Sequence, residues 1–314
     1  MIFMSSLEDR RLLVKVANMY YEEGATQSEI AKSIGVSRSL ISKYLAKAKE
    51  SGVVEIIIHD DEAHPYMALE SKVERRYDLR EVVCVSSGEG ESVKARLGAA
   101  ASKYLLRIIK DGQTIGISSG TTLNEVAKSL PSQHFSGLTI VPLVGGMGDE
   151  RVDIHSNSIV AKVAESFHAD YKLLHAPVLV DSKEAKEVIV QQSFIKTIFD
   201  IASKSDIAVV GIGGTPEHST MVKSYLHQVK QKEFNYEGIV GDICYNFIDR
   251  NGEAFSNPWN DKVITMELEN LKKIPLVIGV ASGKEKVEAI RTSLVAKLID
   301  VLITDENTAK ELLD

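Results

Sequence analysis

From residue 82 to the C-terminus, short runs rich in Val, Ile and Leu alternate with longer stretches whose apolar residues recur at helical spacing. Strands separated by helix-length crossovers cannot pair as hairpins. They build a mainly parallel, doubly wound sheet with helices on both faces. The strand-like runs are 82–85, 114–118, 138–143, 171–176, 207–211, 276–281 and 301–304. Helical segments fall near 92–110, 122–130, 156–168, 183–204, 217–232, 284–296 and 306–313. The stretch 238–266 reads instead as two or three β segments around Asp249-Arg250-Asn251-Gly252, a turn signal. The fold class is therefore α/β over most of the chain.

The first 59 residues follow a different pattern. Leu12, Leu13, Val16, Ala17 and Tyr20 mark a helix over 9–23, and Gly24 stops it. Thr26 and Glu29 have the spacing of a capping box, which opens a second helix with Ile30, Ala31 and Ile34 inward. Gly35 supplies a left-handed stop, and Ser37 caps a third helix over 38–50. A strand-like run, 53–58, follows Gly52. Helix, helix, tight turn, helix and strand is the order of a winged helix-turn-helix. The polar stretch 59–64 and Pro65 mark a boundary, and 66–77 reads as a helix with Tyr66, Leu69, Val73 and Tyr77 in line. We expect a DNA-binding domain over 1–59, a linker helix within 60–80 that pairs between subunits, and an effector domain over 81–314.

Charge supports this division. The net charge is −7, yet residues 30–49 hold five basic side chains (Lys32, Arg38, Lys43, Lys47, Lys49) and no acid. A short cationic segment on an acidic body suits a head that grips phosphates while the body stays off DNA. In the third helix, Ser37, Arg38, Ser39, Ser42 and Lys43 lie where a recognition helix meets base edges and phosphates, and Gln27 opens the helix before it. No apolar run reaches the ~18–20 residues of a membrane span, and the first residues lack a secretory pattern. The two cysteines, Cys84 and Cys244, are too few for a zinc cluster. A cytoplasmic protein without metal or cofactor is expected.

Ser118-Ser119-Gly120-Thr121-Thr122 follows a strand and opens a helix. Free N–H groups and hydroxyls there suit a phosphate, and without a Gly-Lys-Ser/Thr ending it is no nucleotide P-loop. The same residues also serve as an ordinary polar turn. Two glycine turns, Gly145-Gly146-Met147-Gly148 and Gly211-Ile212-Gly213-Gly214, follow strands without the full dinucleotide fingerprint, and they suit close backbone approach to a ligand. Near strand ends stand His155, Asn157, Asp242 and Lys286. Asp242 is suited to accepting sugar hydroxyls and Lys286 to meeting phosphate.

These motifs, in order, resemble the SorC family of sugar-responsive bacterial regulators over nearly the whole chain. They are Thr26-Gln27-Ser28-Glu29-Ile30-Ala31 with Val36-Ser37-Arg38-Ser39-Leu40-Ile41-Ser42, then Gly116-Ile117-Ser118-Ser119-Gly120-Thr121-Thr122-Leu123, Pro142-Leu143-Val144-Gly145-Gly146, Ala176-Pro177, Gly211-Ile212-Gly213 and Val240-Gly241-Asp242-Ile243. Gly283-Lys284-Glu285-Lys286-Val287-Glu288-Ala289-Ile290 and Leu302-Ile303-Thr304-Asp305-Glu306 complete the series. The resemblance implies a winged helix-turn-helix joined to a domain similar in fold to ribose-5-phosphate isomerases and glucosamine-6-phosphate deaminases. It implies a homo-tetramer with two partners, double-stranded operator DNA and a phosphorylated sugar. By the same resemblance Gly120, Thr121 and Thr122 hold the phosphate, Gly145 and Gly146 pass close to the ligand, and Asp242 and Lys286 complete the pocket; Ser119 and His155 are further candidates for effector binding. Val144 stands where some members carry a basic residue, and His155 where some carry glutamine. The competing reading is a sugar-phosphate isomerase or deaminase fused to a DNA-binding head, with His155 and Asp242 moving protons.

Overall fold

A computed structural model describes residues 6–56, 65–88, 92–146, 151–219 and 237–314. They form two compact units that part between His64 and Pro65.

The smaller unit is three helices, α1 (Ser6–Tyr21), α2 (Gln27–Ile34) and α3 (Arg38–Glu50). The capping box is in place. Thr26 Oγ1 accepts from the Glu29 N–H at 3.3 Å, and Glu29 Oε2 accepts from the Thr26 N–H at 2.8 Å. The Thr26 N–H and hydroxyl hold the Glu29 carboxyl below its ordinary range. Gly35, at φ 79°, adopts the left-handed conformation that ends α2. Helices this short are marginal alone in water, and burial of Val16, Ile30, Ala31, Ile41 and Leu45 against one another holds them together. The expected strand over 53–58 does not form across its described part. The Val53 and Val54 N–H groups fold back onto the Ala48 carbonyl at 2.9 and 3.0 Å, extending the end of α3 and leaving no ladder donors there. Residues 57–58, like 59–64, lie outside the described residues.

The larger unit opens with α4 (Met67–Tyr77). It continues through β1 (Glu81–Val85), α5 (Val93–Ile108), β2 (Thr114–Ile117), α6 (Thr121–Ser129), β3 (Thr139–Pro142), α7 (Ser156–Phe167) and β4 (Asp170–Tyr171). After α8 (Lys183–Val190), α9 (Ser193–Ala202) and β5 (Ile207–Gly213) come β6 (Gly241–Ile243), β7 (Asn246–Ile248) and α10 (Leu268–Leu271). The chain ends with β8 (Val277–Val280), α11 (Val287–Val295), β9 (Val301–Asp305) and α12 (Glu306–Leu313). Seven strands lie in the order β1-β9-β8-β5-β2-β3-β4, all parallel. β6 and β7 form an antiparallel hairpin on the end of β5, with Ile212 opposite Ile243 and Gly213 opposite Asp242. Alternate residues of β5 enter opposite cores, Ile207 and Val209 on one face and Ala208 and Val210 on the other. Strands buried on both faces explain the near-continuous apolar runs in the sequence.

Three sequence expectations change. Of 171–176 only Tyr171 stays in the sheet, because the Asn157 amide takes the place of a strand partner. Leu174 donates to Asn157 Oδ1 at 3.0 Å and accepts from Nδ2 at 3.1 Å. The single helix over 183–204 is two, broken where Gln192 turns extended at ψ 130°. The helix over 284–296 begins as a 3₁₀ turn, Lys284–Lys286, before α11. The expected helix over 217–232 lies outside the described residues from 220 onward.

The helix expected as a linker is built into the larger unit. Val73 and Tyr77 are buried in its core, and the Tyr77 hydroxyl donates to the Leu312 carbonyl at 2.6 Å. Glu74 and Glu70 accept from the Val82 and Cys84 N–H groups at 2.9 and 2.8 Å. One turn apart on α4, these carboxylates cover the outer edge of β1, a row of donors otherwise open to another strand.

Candidate functional site

In an open parallel sheet, ligands bind outside the carboxyl ends of the strands where the chain order reverses. Here β2 leads outward to β3 and β4, and the chain then returns to place β5 on the other side of β2. Directly beyond the ends of β2, β5 and β8 lies a cavity of about 180 Å³. It is walled by Ser118–Leu123 from the β2–α6 turn, Gly211–Gly213 from β5, Asp242, Cys244 and Tyr245 from the hairpin, and Ser282, Glu285 and Lys286.

One wall is the start of α6. Gly120, at φ 119° and ψ 169°, takes a backbone shape open in practice to glycine alone, and no side chain caps the helix. Its N–H is bonded to the Ile154 carbonyl at 3.0 Å, but those of Thr121, Thr122 and Leu123 meet no acceptor among the described residues. Uncapped donors at the positive end of a helix form an anion cradle. Lys94, from the first turn of α5, leans in and donates to Thr121 Oγ1 at 3.0 Å. The Ser119 hydroxyl donates to that of Tyr245.

Facing the cradle, Asp242 is buried, and its Oδ1 has no partner among the described residues. Burial pushes its carboxyl up to about 6, against the pull of the Lys286 ammonium. Burial likewise lowers Lys286, and Asp242 pulls it back up. Burial raises the Cys244 thiol, with Asp242 adding to the effect. Cys244 is thus a neutral wall and Asp242 an acceptor held at a cost. As pH rises from about 4 to about 6, the unfolded chain gives up this proton first, so stability falls across that window and is level above it. Asp242→Asn has no proton to lose. Its stability relative to the parent is expected to climb between pH 4 and 6 and then plateau, and urea melts at each pH check this. A difference that is flat with pH contradicts the assignment.

Ser119, Gly120, Thr121, Thr122, Asp242 and Lys286, singled out in the sequence, thus meet in one cavity. Gly145, Gly146 and His155 are not among its walls. Gly146 donates to the Ala176 carbonyl at 2.8 Å and accepts from Val178 at 2.7 Å, while a side chain on Gly145 would strike the Pro177 backbone. This glycine pair lets two backbones approach each other. Met147 and Gly148 lie outside the described residues. His155 precedes α7, and its carbonyl accepts from Ile159 at 3.0 Å. Lys94, Tyr245 and Ser219, whose hydroxyl hydrogen-bonds the Asp242 carboxyl, also line the cavity and carry no motif in the sequence. Only their positions near a helix start or a turn hinted at them.

In the smaller unit, Arg38, Ser39, Ser42 and Lys43 are exposed along the start of α3, and Gln27 is half-buried at the start of α2. Ser37 caps α3, accepting from the Leu40 N–H at 3.3 Å.

Residues 61–314 match the family described as "Putative sugar-binding domain", and residues 19–55 match "Winged helix-turn-helix DNA-binding". The chain is 31% identical over 316 residues to the sorbitol operon regulator of Klebsiella pneumoniae, covering 99% of this chain and 100% of that one. It belongs to the SorC family. The full-length crystal structure of the Klebsiella pneumoniae regulator SorC is similar with a TM-score of 0.73 at 30% identity, covering 98% of this chain and 99% of that one. The deoxyribonucleoside regulator of Bacillus subtilis is 30% identical, with 98% of each chain covered. This SorC-family chain is a transcriptional regulator with a DNA-binding helix-turn-helix and a sugar-binding domain. No helix among the described residues is long and apolar enough to cross a membrane.

Proposed function

We propose that this regulator controls a carbohydrate-utilisation operon, and that a phosphorylated sugar in the β2–β5 cavity sets its affinity for operator DNA. The observation that carries the reading is the pairing, across one cavity, of the uncapped α6 start beside Lys94 and Lys286 with a buried oxygen of Asp242 that meets no partner among the described residues. The first suits a phosphate ester and the second a sugar hydroxyl. The sugar operon relatives support the ligand class. The regulator works in the cytoplasm as a homo-tetramer on double-stranded operator DNA. The effector acts only through a difference in its affinity for the two arrangements of the DNA-binding heads.

Alanine at Thr121 and Thr122 removes one hydroxyl that meets Lys94 and one at the cradle itself. The double variant is expected to lose the response to sugar phosphates while binding operator duplex as the parent does, read by fluorescence anisotropy. A response that survives both substitutions places the phosphate elsewhere.

A further inference from the structure

The wall opposite the α6 cradle is made by an unusual turn. β6 and β7 are joined by two residues, Cys244 and Tyr245, with Ile243 paired to Asn246 across them. Both have positive φ, 49° and 65°. A two-residue hairpin turn with two left-handed residues is the type that favours Asn-Gly, because a larger side chain is strained in this conformation. Two such residues in succession persist only where the surroundings over-determine them, and such places cluster at ligand sites.

The surroundings do over-determine this turn. The buried Trp259 indole donates to the Tyr245 carbonyl at 3.0 Å, the Thr265 hydroxyl donates to that of Cys244, and the Asn246 amide ties the hairpin to the Met266 carbonyl at 2.9 Å. On the cavity side, Tyr245 touches both ends of the site. Its backbone N–H donates to the Asp242 carboxylate, and its phenol oxygen accepts from the Ser119 hydroxyl, next to Gly120 and the cradle. A rigid ring therefore spans the gap between the group suited to a sugar hydroxyl and the group suited to an anion.

We propose that Tyr245 is a specificity-determining residue that fixes the spacing between the hydroxyl-binding and anion-binding ends of the cavity, and so selects the effector by the length of its carbon chain. The inference rests on the reading of this cavity as a phosphosugar site. The ring restricts how far an ester bound at α6 extends before it reaches Asp242. The turn that carries it, pinned from behind, does not yield to a longer or shorter ligand.

Two variants separate the phenol from the turn. Tyr245→Phe keeps the ring and removes its acceptor for Ser119. Tyr245→Asn removes the ring with a residue that tolerates left-handed backbone. The full-length parent and both variants are titrated calorimetrically with inorganic phosphate, ribose 5-phosphate and glucose 6-phosphate, and thermal melts confirm folding. Inorganic phosphate is expected still to bind all three proteins, because the N–H groups at the start of α6 are unaltered, while the ratio of the two ester affinities shifts about tenfold or more in Tyr245→Asn and less in Tyr245→Phe. An unchanged ratio in both variants, with phosphate still bound, overturns the role of Tyr245 and leaves the cavity assignment standing. A parent that binds both esters equally overturns it too. A parent that binds none of the three probes overturns both the role and the reading beneath it.

Discussion

Arg38→Ala is expected to weaken binding to operator duplex by about 1–3 kcal/mol, the worth of a bidentate arginine–guanine pair. Arg38 is the first residue of α3, is exposed, and makes no hydrogen bond or ion pair to any described residue. A cation at the positive end of a helix opposes the helix dipole, so the residue contributes nothing there to folding. Removing it should leave thermal stability unchanged or slightly raised, and should relax discrimination at one base position. Lys43, exposed five residues further along α3, is suited to a phosphate contact. Its removal should weaken all duplexes alike and lower the salt dependence by about one counterion. Anisotropy titrations across a salt series, with operator and scrambled duplex, separate the two roles. Loss of affinity that is equal on both duplexes for Arg38→Ala contradicts a base-reading role.

Gly213→Ala is expected to have the largest effect on effector binding. Gly213 pairs with Asp242 across the β5–β6 ladder, and its missing side chain is the space the Asp242 carboxylate occupies. A methyl group there overlaps Oδ1, so either the carboxylate leaves the cavity or the hairpin separates from β5. Overpacking of this kind costs about 1–3 kcal/mol of stability. Effector affinity should fall further, because the Asp242 carboxylate is pushed from its place in the cavity wall. Gly211→Ala is the control. Its added carbon would lie 3.9 Å from the Ser119 carbonyl, an ordinary contact, so folding should be nearly unaffected. Chemical denaturation and calorimetry on the pair read both effects. Equal effector affinity in Gly213→Ala and the parent would remove Asp242 from the site.

Much of this arrangement is legible in residue order. The Thr26–Glu29 box, Gly35 and Ser37 each act within four residues, so local spacing reveals the head. The apolar runs of β2, β5 and β9 announce strands buried on both faces, and the turn after β2 announces the cradle. What stayed hidden depends on distant partners. The run 171–176 has the composition of a strand, but its backbone is claimed by the side chain of Asn157, and no local pattern records that. Gly145 and Gly146 mark a close backbone approach, yet the sequence does not say whether a ligand or the Ala176–Val178 backbone approaches. Lys94 enters the cavity from α5, and Tyr245 enters from a hairpin whose two-residue turn carries none of the residues such turns usually demand.

The proposed regulation couples a grip on duplex to a grip on a phosphorylated sugar within one chain. The direct measurement is an anisotropy titration of the full-length protein on duplex from its own promoter, repeated at fixed salt with saturating sugar phosphates of differing chain length. Salt-dependent binding is expected, with an affinity that shifts by about tenfold or more with at least one ester, a coupling of about 1–3 kcal/mol. Affinity for duplex that is identical with and without every ester, while calorimetry shows an ester bound, would contradict it.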